Sequence, residues 1–585
     1  MGKYLRRFST ADLFAFILVS GLILLHLLLL SKTFLIDSEG NMRAAVAGFG
    51  DIPFHMTQVS KFAFEKNIDF NEPIYDGERL RYAFLVNLIS GNVLRFTGNW
   101  VFSMQAPAML LMASATWLMF LSYRNFLKSA LGAALAVAIF LFGSGFGGYF
   151  LVQNQLIAAN RTPVAFSQYL VDKSVSTISR WDAKFPEQNI DWGAPLSLVL
   201  LHQRAFILGF FCFSLFWYLF NKWRSMPKNK MFLVATGVVV GITPLAHYHS
   251  FVVMLVVLLS FGIWGLIRRN YDFVKKLVVI CAVAGIIALP QIIYLVQGKH
   301  GLTLGNQPFI KVRLGWMVEP TIGSIQFNPA KGLFAGQILP YINFLWINFG
   351  LILPVFLLVT ITTAISDKFR KIFPNAAILA AIGLVLFLLN QLVRFQPWDY
   401  DNNKILVYFQ FFAAPLVVAL FIWICRISKV IGYCALAVFI FVVTFTGVLD
   451  EIPRLLVPTE QMPVIFGNDA IAMGEFIKNN VAQNEKIVTT STHLNPVSSL
   501  AGMPALVGYP GWLWTRGISY GDRERNLQAF YQNPEQFRNI LKLYNAKYIL
   551  IDPTAIYDWK ANTAEFDATY KLLFRKGQYS LYTTI

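Results

Sequence analysis

Long apolar runs recur along most of this chain, and they constrain its fold more than any other feature. A helix of about 20 apolar residues spans the hydrocarbon core of a bilayer, so each run is a candidate transmembrane helix. The predicted spans are residues 11–33, 101–121, 129–150, 204–221, 231–246, 249–267, 276–297, 343–365, 376–394, 405–425 and 430–449. Residues 231–267 also fit one long span with a re-entrant piece. The sequence therefore predicts a polytopic α-helical membrane protein with about eleven transmembrane helices.

The basic residues of the short connections predict how these helices are oriented. They are Lys3, Arg6, Arg7, Arg124, Lys128, Lys222, Arg224, Lys228, Lys230, Arg268, Arg269, Lys275, Lys276, Lys368, Arg370, Lys371, Arg426 and Lys429. Cytoplasmic connections are enriched in Lys and Arg, which places the N-terminus in the cytoplasm and, after an odd number of crossings, the C-terminus outside. The opening "MGKYLRRF" and the apolar run behind it are typical of a signal anchor. We expect a multi-pass protein of the plasma (inner) membrane.

The basic excess of the chain does not indicate a nucleic-acid partner. The formal net charge is +18, but the basic residues lie at the ends of apolar runs, where membrane topology accounts for them. The four cysteines are Cys212, Cys281, Cys425 and Cys434, all within apolar runs. Their spacing matches no metal site, so the sequence predicts neither a zinc site nor a disulfide framework.

The long connections fall on the predicted outer side of the membrane. They are residues 34–100, 151–203, 298–342 and 395–404. The first of them contains two amphipathic stretches, one following Asp51 and one at residues 79–96, which we expect to be helices lying in the membrane surface. Residues 450–585 alternate predicted helices and strands, which is typical of a small α/β domain. We therefore divide the chain into a transmembrane domain, 1–449, and an extracytoplasmic soluble domain, 450–585.

The stretch "GFGDIPFHMTQ" places Asp51 and His55 on one face of a predicted helix just outside the first span. Asp before Ile-Pro is an ordinary N-cap, and His55 would then be a surface side chain of that helix. The alternative is a functional site, because Asp37 and Glu39 leave the first span on the same side. Both interpretations remain open from the sequence alone.

Two further groups of polar residues border the spans on this side. "PLAHYHSF" places His247 and His249 next to a proline, which indicates either interfacial histidines at a helix break or the lining of a cavity. A metal site would need a third ligand, and none has diagnostic spacing. "LHQRAF" adds His202 and Arg204 at the outer start of the fourth span.

The segment "NQLVRFQPWDYDNNKIL", residues 390–406, is the third such group. Asp399 and Asp401 would suit a divalent cation such as Mg or Mn, or they belong to a solvated hairpin. Arg394 and Lys404 are suitable partners for an anionic head group, with Trp398 beside them. No other cofactor is indicated.

This arrangement resembles the GT-C superfamily of membrane glycosyltransferases. The resemblance rests on the acid-bearing first external loop, its two amphipathic stretches and the C-terminal domain, and on the segments "FGDIPFH", "LHQRAFILG", "PLAHYHSF" and "RFQPWDYDNNKIL". It implies transfer of a hexosyl or pentosyl unit from a polyprenyl-phosphate-linked donor to an extracytoplasmic glycan, lipid or protein acceptor in the cell envelope. The donor would enter from the membrane lipid.

The resemblance also implies roles for individual residues. Asp51 maps best onto the catalytic acid, which serves as general base, and Asp37 or Glu39 are the alternatives. The predicted substrate-binding residues are His55, His202, Arg204, His247, His249, Arg394, Trp398, Asp399 and Lys404. Asp399 and Asp401 would position the acceptor or a cation.

Two other classes of function compete with this one. The first is a transporter or flippase of lipid-linked or anionic substrates, although the chain shows no half-and-half repeat and few charges within its spans. The second is a non-enzymatic envelope assembly protein whose tail binds partners. The aromatic segment "YPGWLWTRGISYGDRERN" in that tail would either stack on sugar rings or cap the membrane domain.

Overall fold

Apolar helices of bilayer length make up most of the fold in the computed structural model. The structure describes residues 9–66, 69–159, 189–297, 303–304, 307–308, 310–317 and 338–584. The helices as far as the last span are α1 Thr10–Ser31, α2 Ile52–Phe64, α3 Leu85–Thr97, α4 Trp100–Leu127, α5 Ala130–Phe142, α6 Gly147–Ala159, α7 Arg204–Ser225, α8 Lys230–Ile242, α9 Tyr248–Ile267, α10 Tyr271–Val296, α11 Ile338–Phe349, α12 Ile352–Ile365, α13 Asp367–Ile372, α14 Ala376–Leu392, α15 Asn403–Ile427 and α16 Lys429–Leu456.

Seven helices of the described residues are long and apolar enough to cross a membrane. Two further candidates are bent pairs, α5 with α6 at 61° and α11 with α12 at 98°, which brings the number to nine if each pair is one span. The apolar stretches around α8 and α14 are shorter. Each predicted span coincides with one of these elements, and the chain is a multi-pass membrane protein, but a count of eleven crossings is not reached by length and composition.

The ends of several elements differ from the prediction. Residues 231–267 form two helices, because a 3₁₀ turn at Thr243–Leu245 breaks the chain between α8 and α9. The last span, α16, continues to Leu456, so the predicted boundary after residue 449 falls inside a helix. Apolar residues continue past that point, and the helix ends only beyond Pro453.

The first amphipathic stretch of this loop, helix α2, does not lie on the membrane surface as expected. Every residue of α2 from Ile52 to Ala63 is buried, polar side chains included. Helix α3 packs on one side of it so closely that a Cβ atom at Gly91 would lie 2.7 Å from the Cβ atom of Phe62. On another side, the Ser60 hydroxyl donates a hydrogen bond of 2.8 Å to the carbonyl oxygen of Ser498. Helix α2 is therefore covered by the C-terminal part of the chain.

The C-terminal part is an α/β unit, as predicted. Its strands are β8 Ile487–Val488, β9 Tyr548–Ile551, β10 Lys571–Lys576 and β11 Tyr579–Thr583, and its helices include Asn468–Asn480, Gly521–Gln532 and Thr563–Thr569. The sheet has the order β10-β11-β9-β8, in which only the β8–β9 pair is parallel. Its core contains Tyr531, whose hydroxyl donates to the carbonyl oxygens of Val488 and Leu550.

A second sheet joins this unit to the first external loop. Strands β1 Phe34–Ile36 and β2 Met42–Ala44 form a hairpin, and β7 Val464–Phe466 adds to β2. Arg43 of the hairpin donates hydrogen bonds to the carbonyl oxygens of Glu460 and Met462 at 2.9 and 2.6 Å. Two short ladders complete the described strands, β3 Thr303–Leu304 with β4 Gln307–Pro308 and β5 Lys311–Val312 with β6 Val393–Arg394.

Candidate active site

Asp51 occupies the N-terminal end of α2 without capping it. The residue stands at the N-cap position, but its backbone is helical and its side chain makes no capping hydrogen bond. Ile52 and Pro53 begin the helix, and proline removes one of the backbone N–H groups that a cap would satisfy. Among the described residues, no hydrogen bond is directed to the Asp51 carboxylate, which remains partly accessible to solvent. The N-cap position is as predicted, whereas the capping role is not.

Asp51 interacts electrostatically with charged residues at the start of α15, more than 300 residues away in sequence. The pKa of the Asp51 carboxyl group is raised to about 6, chiefly by burial and further by the like charge of Asp401, while Lys404 acts in the opposite direction. Lys404 forms an ion pair of 3.1 Å with Asp401. The structure therefore brings the acid of the first loop together with the charged end of α15.

Lys404 is a cation that acts on several titratable side chains of this region. It acts electrostatically on Asp51, His55, His202, His247 and His249. Its side chain is mostly buried, with 12% exposure. Coulomb interactions fall off with distance, and more steeply where water screens them, so each of these side chains lies within electrostatic range of Lys404. We call this set, together with Asp401, the Lys404 cluster.

The two histidines near the start of α9 have different environments. The rings of His247 and His249 stack with centroids 5.3 Å apart. His247 caps α9, because its Nδ1 accepts a hydrogen bond from the backbone N–H of Ser250. The Nε2 atom of His249 is buried and has no hydrogen-bond partner among the described residues. Buried polar atoms are nearly always satisfied, so His249 is the better candidate for contact with a ligand.

His55 lies on the buried face of α2. Its Nδ1 is 3.0 Å from the amide nitrogen of Asn87, and its ring lies 6.0 Å from that of Tyr82. Burial, and after it the charge of Arg204, hold the pKa of His55 well below its usual range, which keeps the ring neutral at pH 7. Burial raises the pKa of Tyr82, and the carboxylate of Asp51 raises it further.

His202, a member of the Lys404 cluster, lies in the segment that precedes α7. Burial, followed by the charges of Arg454 and Lys404, lowers the pKa of His202 to about 3. Arg204, two residues further along, makes hydrogen bonds within the protein. Its guanidinium donates to the carbonyl oxygen of Met104 and to the hydroxyl of Ser90, the latter at 2.5 Å. Arg204 therefore connects α7 to α3 and α4.

Asp37 and Glu39, the alternative bases, lie in the turn of the β1–β2 hairpin. Although burial acts to raise it, the pKa of Asp37 is lowered to about 2 by hydrogen bonds from Arg43 and Asn41. The Arg43 Nε atom is 2.5 Å from the Asp37 carboxylate. Glu39 is exposed, and its carboxylate accepts a hydrogen bond from Asn41. A carboxylate with so low a pKa is a weak base, so Asp51 is better suited to proton transfer.

The two predicted cation ligands, Asp399 and Asp401, each pair with a different basic residue in the structure. Asp399 is fully buried and forms an ion pair with Arg313, whereas Asp401 pairs with Lys404. Within the described residues, no group of three or more His, Cys, Asp or Glu side chains could hold a metal ion. A cation shared by Asp399 and Asp401 stays a prediction, and it would compete with these two ion pairs.

Arg394 and Trp398 lie in the segment between α14 and α15. Arg394 is buried, and its backbone pairs with Lys311 in the β5–β6 ladder. The Trp398 ring lies 6.0 Å from that of Trp514, edge to face. Trp398 thus contacts the C-terminal unit, whereas Lys404 faces the cluster.

Several residues of the region were missed in the sequence because only distant packing gives them a role. Arg516 forms an ion pair of 2.8 Å with Glu72, and its guanidinium lies 4.1 Å from the ring centroid of Phe54. Near His202, Glu451 and Arg454 form an ion pair of 3.0 Å at the end of α16. Arg516 lies in the aromatic segment "YPGWLWTRGISYGDRERN" singled out above, but nothing in that segment indicates a pairing with Glu72, and "DEIPR" carries no motif.

An aromatic group covers the N-terminal end of α2. It consists of Phe49, His493, Tyr509 and Trp512, whose neighbouring rings are 5.1 to 5.4 Å apart. The indole N–H of Trp512 donates to the carbonyl oxygen of Gly50 at 3.2 Å. Tyr509 is 41% exposed. The aromatic group therefore lies next to Asp51 and presents one ring to solvent.

Comparison with known proteins gave structural neighbours only. No family model and no curated protein matches the chain. The oligosaccharyltransferase of Archaeoglobus fulgidus in complex with Zn and sulfate aligns with 96% of this chain and 72% of its own at 11% identity and a TM-score of 0.49. Archaeal AglB from that organism, with an inhibitory peptide and a dolichol-phosphate, covers 97% and 74% at 10% identity and 0.43.

ArnT from Cupriavidus metallidurans, bound to undecaprenyl phosphate, aligns with 98% of this chain and 99% of its own at 10% identity and a TM-score of 0.38. At such identities and scores, the alignments assign neither a reaction nor a substrate to this chain.

Proposed function

We propose that this protein is a membrane glycosyltransferase that moves a sugar from a polyprenyl-phosphate-linked donor to an acceptor on the extracytoplasmic face of the plasma membrane. The proposal rests on the carboxyl group of Asp51, which begins a helix without capping it and has a pKa of about 6 beside Lys404. A carboxylate whose pKa is close to the working pH is suited to accept a proton in the transition state.

In the proposed reaction, the acceptor oxygen attacks the anomeric carbon of the donor with inversion. The new glycosidic C–O bond forms as the bond between that carbon and the phosphate oxygen breaks, and the acceptor proton passes to Asp51. The electron pair of the broken bond leaves with the polyprenyl phosphate. The ammonium group of Lys404 stabilises the charge that develops there, because it is held in a largely buried position.

The donor phosphate is proposed to lie between Lys404 and His249. Lys404 supplies a positive charge, and the buried Nε2 atom of His249 lacks a partner among the described residues. A phosphate or sugar oxygen would satisfy that nitrogen. The apolar spans next to α9 and α15 supply the surface that a polyprenyl chain needs.

The acceptor is proposed to approach along the aromatic group. Sugar rings pack their apolar faces on aromatic side chains, and Tyr509 presents a partly exposed ring beside the Gly50–Asp51 segment. An acceptor held there would place a hydroxyl group near Asp51. Either a glycan or a glycosylated lipid or protein fits this arrangement.

A transfer assay in proteoliposomes tests the proposal. Full-length protein is supplied with radiolabelled undecaprenyl-phosphate hexose or pentose, and both transfer and hydrolysis of the donor are measured. Asp51→Asn is expected to abolish both, while Glu39→Gln, a change of the same kind at an exposed carboxylate, retains activity. Full activity of Asp51→Asn, or loss of activity in Glu39→Gln alone, would contradict the assignment of the base.

Sided labelling separates a transferase from a transporter. Single cysteines that replace Asp51, His249 or Asp401 are expected to react with an impermeant maleimide only from the extracytoplasmic side. A site that reacted from the cytoplasm as well would indicate alternating access and favour transport.

A further inference from the structure

A polar cavity opens at the opposite end of the helix bundle from Asp51. It is formed where α1 and α5 begin and where α4 and α7 end, and it has a volume of about 800 Å³. The other end of α1 lies near Asp51. Leu30 and Thr33 at that end line a small cavity together with His202 and with Ile52, the residue after Asp51. The polar cavity is therefore separated from the Lys404 cluster by the length of a membrane span.

The walls of this cavity carry an excess of positive charge. Arg124, Lys128 and Lys222 line it, and Asp12 is the acidic residue among the described side chains of its lining. Asp12 accepts a hydrogen bond from the Ser9 hydroxyl at 2.8 Å and lies 3.5 Å from Arg124. The capping box at the start of α1 thus engages the acid, and the cavity keeps a net positive charge.

The three cations are held at different places around the opening. Lys128 ends α4 in a left-handed conformation and donates to the Asn125 side chain at 3.2 Å. Lys222 lies 5.4 Å from the ring centroid of Tyr218, and Arg124 lies 5.9 Å from that of Phe16. The partial positive charge at the start of α5 adds to theirs. An anion in the cavity would meet cations from two helices.

Apolar side chains share the cavity with these cations. Leu121, Ala130 and Leu131 line it, and Leu131 is 39% exposed. A free inorganic anion gains nothing from such a surface, whereas an amphiphile buries apolar area there and places its charge on the cations. Both the position at the ends of spans and the mixed lining favour a lipid headgroup.

We propose that this cavity binds the phosphate headgroup of an anionic phospholipid on the side of the membrane opposite the candidate active site. The phosphate lies among Arg124, Lys128 and Lys222, and the glycerol and upper acyl chain contact Leu121 and Leu131. The site is independent of the proposed sugar transfer, since none of its residues belongs to the Lys404 cluster.

Native mass spectrometry of the full-length protein in detergent tests the site. The probe is phosphatidylglycerol, with phosphatidylcholine as the zwitterionic lipid of matched chain length. The triple variant Arg124→Gln, Lys128→Gln, Lys222→Gln is expected to weaken phosphatidylglycerol binding at least about tenfold, because each charge-assisted hydrogen bond contributes about 1.5 kcal/mol or more. The charge-conserving variant Arg124→Lys, Lys128→Arg, Lys222→Arg retains binding.

A matched control removes three exposed cations that do not line the cavity. The variant Arg268→Gln, Lys275→Gln, Lys371→Gln changes the net charge equally and is expected to bind phosphatidylglycerol as the wild type does. Equal weakening in both glutamine variants, or equal binding of the two lipids, would overturn the proposal. Inorganic phosphate that displaced the lipid at equal concentration would also overturn it, in favour of a free anion. Size-exclusion profiles confirm that each variant is folded.

Discussion

The pH dependence of the proposed transfer reaction is expected to report directly on Asp51. A carboxyl group with a pKa of about 6 is ionised in about one molecule in ten at pH 5 and nine in ten at pH 7. A general base acts only when ionised, so the transfer rate is expected to rise about tenfold per pH unit below pH 6 and to level off above pH 7. Asp37, with a pKa of about 2, would give a rate that does not change in this range.

The rising part of the pH–rate profile, its acidic limb, is expected to shift when a charge beside Asp51 is removed. Asp401 and Lys404 carry opposite charges, so their replacements shift the limb in opposite directions. Asp401→Asn removes a like charge from Asp51 and also releases Lys404 from its ion pair, and both effects lower the pKa of Asp51. A single nearby charge typically changes a pKa by about 1 pH unit or more. At a pKa of about 5, half of the molecules would be ionised at pH 5, a gain of about fivefold in activity there. Lys404→Gln removes an opposite charge, and the limb moves to higher pH.

The assay is the initial transfer rate at saturating donor from pH 4.5 to pH 8, in buffers of constant ionic strength. Glu39→Gln serves as the control, since it removes a carboxylate whose side chain is exposed. Three results would refute the reasoning: a flat wild-type profile, an Asp51→Asn variant that keeps the wild-type limb, or a limb that moves upward in Asp401→Asn.

Three other perturbations follow from contacts in the structure. Lys404→Gln is expected to raise the KM for the donor about tenfold while Lys404→Arg keeps it near wild type, because the phosphate loses a charge-assisted contact. Arg516→Met leaves Glu72 buried without its cation and is expected to cost about 3 kcal/mol of stability; a lower Tm by tryptophan fluorescence, partly restored by Glu72→Gln, measures it. Gly91→Ala should lower the Tm, unlike Gly21→Ala, whose added Cβ meets nothing within 4 Å.

The positions of the membrane helices could be predicted because their signal is local. A run such as residues 405–425 is apolar at every face, and no contact with the rest of the chain is needed to recognise it. Helix α2 shows where that approach fails. Thr57, Gln58, Ser60 and Lys61 suggested a polar outer face, yet all four are buried. Two of them have partners outside the helix: Gln58 accepts a hydrogen bond from Asn87 at 2.7 Å, and Ser60 donates to the carbonyl oxygen of Ser498.

The candidate site could be assembled in part, for a related reason. Asp51, His249, Asp401 and Lys404 were singled out as polar residues that border apolar runs on one side, and the side of the membrane is itself a local signal. Which of them are engaged elsewhere depends on distant residues. Asp399 looked equivalent to Asp401 until Arg313 was found to pair with it, and Arg204 looked like a phosphate ligand although Met104 and Ser90 accept its hydrogen bonds.

The environment of Asp51 depends on the C-terminal unit as much as on the membrane bundle. Trp512 of this unit donates a hydrogen bond to the carbonyl group of Gly50, and Arg516 of this unit lies over the ring of Phe54. The C-terminal unit thus covers the start of α2 and is attached to the chain on both sides of Asp51. Burial is the largest cause of the raised pKa, and this cover supplies part of it. Loosening the cover should therefore let more water reach the carboxylate and lower its pKa towards 3.8. We therefore expect the α/β unit to set the pKa of the base that we propose in the first loop.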